Sequence, residues 1–242
     1  MEEESVKKCV SVALLFFLVS FSMGNAPGIG EKMTFSMWYN FIKVGVSYLE
    51  VNSLDTINGR GVYRVVYQVR STGMFDKIFK VRDFFESWID VREYFSYGFA
   101  KSVHEGKYRK EYSVRFNYDK MVAVAGEDTM AIDGYLNDPV SVFYYVRALN
   151  LEEGKEFFVK SFDNNKIRQY KIVVIGVKRL VMPYGEEGCF VLAPFHVDGS
   201  PFKYGGHAVI YVSIKRKIPV VLETRFKFGT VKMKLEKYQE GK

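Results

Sequence analysis

Cysteine, histidine and proline are scarce in this chain, at 2, 3 and 6 of 242 residues. Cys9 and Cys189 cannot build a CxxC pair or a four-ligand zinc cluster, and loss of Cys9 with the leader discussed below would leave no internal disulfide. No HExxH, GxSxG, Walker loop or GxGxxG occurs, so metal hydrolysis, a nucleophile elbow and nucleotide binding lack their local signatures. Long apolar runs are lacking too. The uncharged stretch from Val10 to Met23 falls short of the roughly 20 residues that a membrane-spanning helix needs.

What the chain has in quantity is aromatic surface: 21 Phe, 17 Tyr and 2 Trp, together 17%. With so little proline, that inventory favours strands. From Met33 onward the dominant hydrophobic period is two. Met33, Phe35, Met37 and Tyr39 alternate with Thr34, Ser36, Trp38 and Asn40, and Tyr63, Val65, Tyr67 and Val69 alternate with Arg64, Val66, Gln68 and Arg70. Tyr108, Tyr112, Val114, Phe116 and Tyr118 lie opposite Arg109, Glu111, Ser113, Arg115 and Asn117, and Asp119-Lys120 turns the chain back into Met121 to Ala125. Further turn signals fall at Asn58-Gly59, Glu105-Gly106, Asp163-Asn164-Asn165, Glu186-Glu187-Gly188, Gly205-Gly206 and Lys215-Arg216-Lys217. Closely spaced strands without intervening helical periods predict an all-β fold, a large antiparallel meander curled into a barrel or sandwich. One short helix is expected near 139–149, where Asp138-Pro139 gives an N-cap with proline at the first helical position and Gly154 follows the run. Val142, Phe143, Val146 and Leu149 fall at helical spacing, so core packing over a sheet face or barrel mouth is its expected role.

At the N-terminus, Lys7-Lys8, the Val10 to Met23 run and Gly24-Asn25-Ala26 have the order of a secretory signal. Residues 1–26 are therefore expected to be a signal peptide or an N-terminal anchor, and 27–242 a single β-rich domain. Export would place the protein in the periplasm; retention would anchor it in the inner membrane through 10–23. Residues 1–26 carry three Glu and two Lys, so their removal raises the net charge from +7 to +8.

Four stretches resemble a known family. They are the Gly30-Glu31-Lys32-Met33-Thr34-Phe35 strand leading into Ile42-Lys43-Val44-Gly45; Asp138-Pro139-Val140-Ser141-Val142-Phe143-Tyr144-Tyr145-Val146-Arg147; Leu151 with Gly154; and Ile218-Pro219-Val220 followed by Phe228-Gly229-Thr230-Val231. Together they are similar to the exported bacterial proteins of the domain-of-unknown-function 3108 family. The resemblance implies an exported, antiparallel β-meander in the cell envelope, with no assigned activity. The chain departs from the family pattern where Lys215-Arg216-Lys217 replaces an aspartate before the late proline.

No catalytic residue, metal ligand or cofactor site is assigned, and no cofactor is expected. Cys189, His104, His196 and His207 show no ligand or nucleophile spacing, and Glu152-Glu153 and Glu186-Glu187 precede glycines, where solvated turn charge is expected. The Lys107 to Tyr112 stretch mixes cations with rings, but alternation sends Tyr108 and Tyr112 to one face and Arg109 and Glu111 to the other, which argues against nucleic acid. The expected function is non-catalytic binding of an amphiphilic or carbohydrate-like cell-surface component, since ring-lined concave sheets offer apolar area and basic rims offer charge. Trp38, Tyr63, Tyr67, Trp88 and Tyr112 are candidates to line the concave face, with Arg147 presenting a cation at a helix-covered mouth. Partners would be anionic lipids or polysaccharides of the envelope, with peripheral or no membrane association once the leader is gone. An envelope scaffold that uses strand edges is the alternative function, and an enzyme the third.

Overall fold

The computed structural model describes residues 26–198, 207–227 and 229–242. Residues 1–25, and with them all but the last residue of the expected signal or anchor, lie outside the described residues, as do Phe228 and residues 199–206 with the expected Gly205-Gly206 turn.

Among the described residues, the period-two segments form fourteen strands of one antiparallel sheet. The first eight are β1 (Lys32–Tyr39), β2 (Ile42–Ile57), β3 (Arg60–Ser71), β4 (Arg82–Asp90), β5 (Ser96–Glu105), β6 (Tyr108–Asn117), β7 (Val122–Ala125) and β8 (Asp128–Ala131). A helix, α2 (Ser141–Ala148), precedes β9 (Glu156–Asp163), β10 (Lys166–Met182), β11 (Gly185–His196), β12 (His207–Ser213), β13 (Pro219–Phe226) and β14 (Gly229–Gln239). Sequence neighbours pair except β8 and β9, and β1 also pairs with β14, so two meanders run outward from a seam joining the first strand to the last. Their far ends, β8 and β9, are the sheet's edges and do not pair with each other. The segment before α2 covers part of the β9 edge. Asn137 forms a parallel bridge to Ser161, its N–H donating to the Lys160 carbonyl at 2.9 Å and its carbonyl accepting from Phe162 N–H at 2.7 Å.

Because side chains alternate across the pleat, one face of these strands collects the main core, including Phe35, Leu49, Val65, Ile89, Phe99, Val114, Phe162, Cys189 and Leu235. The α2 helix is packed between this core and a second cluster of Val159, Ile172, Val174, Leu192 and Val212. Asp138 caps it as expected: its Oδ1 accepts from Val140 N–H at 2.7 Å and Ser141 N–H at 2.9 Å.

Three local expectations are corrected. A second, six-residue helix, α1 (Gly73–Ile78), joins β3 to β4; it is too short to show a helical period, and Arg82 holds its Asp76 through two bonds of 2.7 and 3.0 Å. Glu186-Glu187-Gly188 is strand, because the chain turns at Pro183-Tyr184. Glu187 is consequently buried, accepting from Ser213 Oγ at 2.6 Å and Arg216 at 3.2 Å. On α2 the fully buried ring is Tyr144, while Phe143 is only half-buried, because the helix is gripped on two sides instead of along one stripe.

Candidate functional site

The shortness of β7 and β8, four residues each, leaves a gap in the curled wall. β6 is paired by β7 only at Arg115, Phe116 and Asn117, so among the described residues its earlier half has no strand partner on that side. Across the gap stands the β9–β10 turn, where Asn164 and Asn165 take left-handed φ values of 51° and 58°. The resulting open cleft has a volume of about 560 Å³, and its lining includes Phe84, Lys101, Glu111, Tyr112, Asp128 and Asn165.

Side chains close the cleft's floor where the backbone does not. Tyr112 Oη donates to Asn165 Oδ1 at 3.0 Å, and Asn165 Nδ2 donates to Asp128 Oδ2 at 2.8 Å. Lys101 Nζ donates to Asp163 Oδ1 at 2.6 Å, and the ammonium stands 5.4 Å from the centre of the Tyr112 ring. Lys101 is 9% exposed, which makes it a buried cation held by one carboxylate and two rings. Partial burial raises the Tyr112 phenol above its ordinary pKa, so the group stays a neutral donor and acceptor. A ring face, an ammonium, an amide and carboxylates around an open volume suit a polyhydroxylated ligand, whose C–H faces stack on aromatics and whose hydroxyls both donate and accept.

Of the side chains expected to line a concave face, Tyr63, Tyr67 and Tyr112 do pack against the main core, and Tyr112 alone of the six also lines the cleft. Tyr67 Oη lies 3.5 Å from Met233 Sδ, and burial pushes its phenol up to about 12. Trp88 packs instead in a separate cluster with Val62, Phe95 and Tyr97. Trp38 donates from Nε1 to Ser36 Oγ at 2.9 Å. Arg147 lies inside, not at a mouth. Its guanidinium grips Glu31 at 2.6 and 3.0 Å, with both side chains almost wholly buried and Tyr238 Oη donating to the same carboxylate. Sequence reasoning missed Lys101, Asp128 and Asn165. Lys101 did carry a signal, because it sits in phase with Phe99 and Val103, a charge on a strand's apolar face.

Over residues 34–236 the sequence matches the family described as protein of unknown function (DUF3108). The chain belongs to the DUF3108 family. Among solved structures, this DUF3108 fold is similar to a β-barrel-like protein of domain of unknown function DUF1849 from Brucella abortus, with a TM-score of 0.58 and 10% identity, covering 88% of this chain and 98% of that one. A DUF1089 family protein from Pseudomonas aeruginosa aligns with a TM-score of 0.43 and 11% identity, over 82% of this chain and 91% of that one. None of the curated proteins compared matches the DUF3108 chain.

The remaining reactive groups of the DUF3108 chain are dispersed. Burial, with Glu187 nearby, pushes the Cys189 thiol up to about 11, which removes the thiolate a nucleophile needs. The His196 ring packs at a tilt against Tyr170, centroids 4.7 Å apart, and His207 pairs in register with Arg225. Asp138 is wholly buried and raised in pKa by that burial, while Ser87 Oγ donates to its Oδ2 at 2.5 Å. Among the described residues, no group of three or more His, Cys, Asp or Glu converges on a metal position.

Proposed function

We propose that this DUF3108 protein is an exported, non-catalytic binding protein whose cleft takes a carbohydrate-like component of the cell envelope. The observation that carries this reading is the cleft in the sheet wall, where the Tyr112 ring, the Lys101 ammonium, Asn165 and Asp128 converge on one open volume of about 560 Å³. The interior supports a sugar over an acyl chain, since the apolar residues of the main core occupy the space that a buried chain would need. Export rests on the sequence alone, on Lys7-Lys8 followed by the uncharged Val10 to Met23.

The test is titration of the protein with soluble saccharides released from its own envelope, followed by heteronuclear NMR. Saturable shifts at Lys101, Tyr112, Asp128 and Asn165, weakened about tenfold in Tyr112→Ala through loss of about 1.5 kcal/mol of stacking, are expected. Saturable binding that perturbs other residues, or no binding at all, overturns the reading. One observation also favours a scaffold: the unpaired half of β6 is an edge that a partner's strand can extend. In that case a protein partner would be recovered, and a proline placed within the Tyr108 to Ser113 edge would release it.

A further inference from the structure

In an antiparallel meander alternate turns share one end, so the β1–β2 turn, α1 and the β5–β6 turn lie together. Backbone bonds fix their adjacency. Thr72 N–H donates to the Val44 carbonyl at 3.0 Å, and Gly106 N–H donates to the Lys80 carbonyl at 2.8 Å. Gly106 has φ +56°, and a Cβ there would stand 2.8 Å from the Phe79 ring, so glycine lets the β5–β6 turn close onto that ring.

This end exposes the apolar side chains that a soluble surface ordinarily keeps apart. Phe41 is 84% exposed, Met74 and Ile78 are each 78% exposed, and Ile42, Phe79 and Tyr108 are exposed beside them. The α1 helix has no buried residue at all, so it contributes to this surface and little to the core. Around the apolar tip stand Lys43, Lys77, Lys80 and Lys107, all exposed. Of the acidic groups there, Asp76 is held by Arg82, Asp83 is buried and accepts from His104 N–H, and Glu105 is exposed. An apolar tip ringed by lysines complements one kind of surface, an anionic bilayer, where rings and aliphatic chains enter the interface and ammonium groups meet the head groups.

We infer that the protein docks end-on to an anionic lipid surface through Phe41, Ile42, Met74, Ile78 and Phe79, with Lys43, Lys77, Lys80 and Lys107 on the head groups. This docking surface does not rest on the cleft or its ligand. It differs in kind from anchoring by residues 10–23, because the folded domain itself meets the lipid.

The test places an environment-sensitive fluorophore at the tip of the full chain. With Cys9→Ser and the buried Cys189 retained, Phe41→Cys and Ile78→Cys carry the probe at the tip, and Asn58→Cys carries it in the β2–β3 turn at the opposite end. Vesicles containing phosphatidylglycerol are expected to blue-shift the tip probes and leave the probe at position 58 unchanged, whereas pure phosphatidylcholine vesicles shift neither. Lys43→Gln/Lys77→Gln/Lys80→Gln should weaken the tip response about a hundredfold, at about fivefold per lysine, and added salt should mimic it. Far-UV circular dichroism checks that each variant remains folded. Vesicle binding without a tip shift, equal shifts at both ends, no binding, or a tip response to phosphatidylcholine equal to that to phosphatidylglycerol would each overturn the proposal. So would a tip that responds only to a protein partner.

Discussion

Glu31 and Arg147 form the most deeply buried ion pair among the described residues. Each is a charge removed from water, and each is tolerated because the other is held in two bonds, with Tyr238 filling a third position. Glu31→Gln should therefore cost about 3–5 kcal/mol in urea unfolding, by leaving the guanidinium buried without its anion. The double variant Glu31→Leu/Arg147→Met should recover most of that loss, and a double no more stable than the single would show that the pair is not coupled. Cys189 makes a second residue-scale case. With its thiol raised to about 11 and no exposed surface, it should resist thiol reagents at pH 8 in the folded protein and react once the chain is unfolded in urea. Rapid labelling of the native protein at Cys189 would contradict its burial.

The α2 element shows how one helix gains its position from groups outside it. Asp138 caps the first turn, and its other oxygen takes the Ser87 hydroxyl from β4, so the cap also rivets the helix to the sheet. The pH consequence follows from the raised pKa. A folded carboxyl above its ordinary value of 3.8 holds its proton longer than the unfolded one, so it lowers stability as pH rises through the window between the two values. Asp138→Asn should flatten that part of the stability–pH curve in urea titrations, while Asp83, also buried and raised in the same direction, keeps its own share. An unchanged slope in Asp138→Asn would refute the assignment. Tyr144 offers a second test on the same helix. Its ring is wholly buried, but its hydroxyl has no hydrogen-bond partner among the described residues. Tyr144→Ala should cost about 3–5 kcal/mol through lost packing. Tyr144→Phe should be neutral or stabilising, since it deletes an unsatisfied polar group. A large loss in Tyr144→Phe, seen by thermal melting, would reveal a bond to that hydroxyl.

At the scale of the whole molecule, the sheet is anchored at its middle and open at its edges. β1 is paired on both sides, by β2 and by β14, and the sheet ends in the four-residue β7 and β8 on one side and the eight-residue β9 on the other. Hydrogen exchange should follow that order, with amides of β7, β8 and β9 exchanging through local opening and those of β1, β2 and β14 only through global unfolding. Uniform protection across the sheet would mean that the seam side chains close the barrel as firmly as a ladder does. The cleft belongs to this scale too, because it exists only where a short hairpin leaves β6 uncovered.

Alternation and turn chemistry suffice to determine the all-β class, the antiparallel meander, the Asn58-Gly59 and Asp163-Asn164-Asn165 turns and the capped helix, because each depends on residues close in the chain. The family resemblance was legible for the same reason, in short stretches around the helix and the late proline. Two tyrosines and one lysine show what was not legible. Tyr67 and Tyr112 share the same period-two pattern, yet only Tyr112 reaches the cleft, because the length of a distant hairpin decides which part of a strand is covered. Lys101 reads as an out-of-place charge until β9 brings Asp163 to it from 62 positions away. Glu31 and Arg147, separated by 116 positions, gave no local sign of being partners. Local sequence specifies backbone conformation through steric and hydrogen-bonding preferences of a few neighbours. Which charges neutralise one another, which rings stay accessible and where the wall opens are decided only when the two meanders curl towards each other.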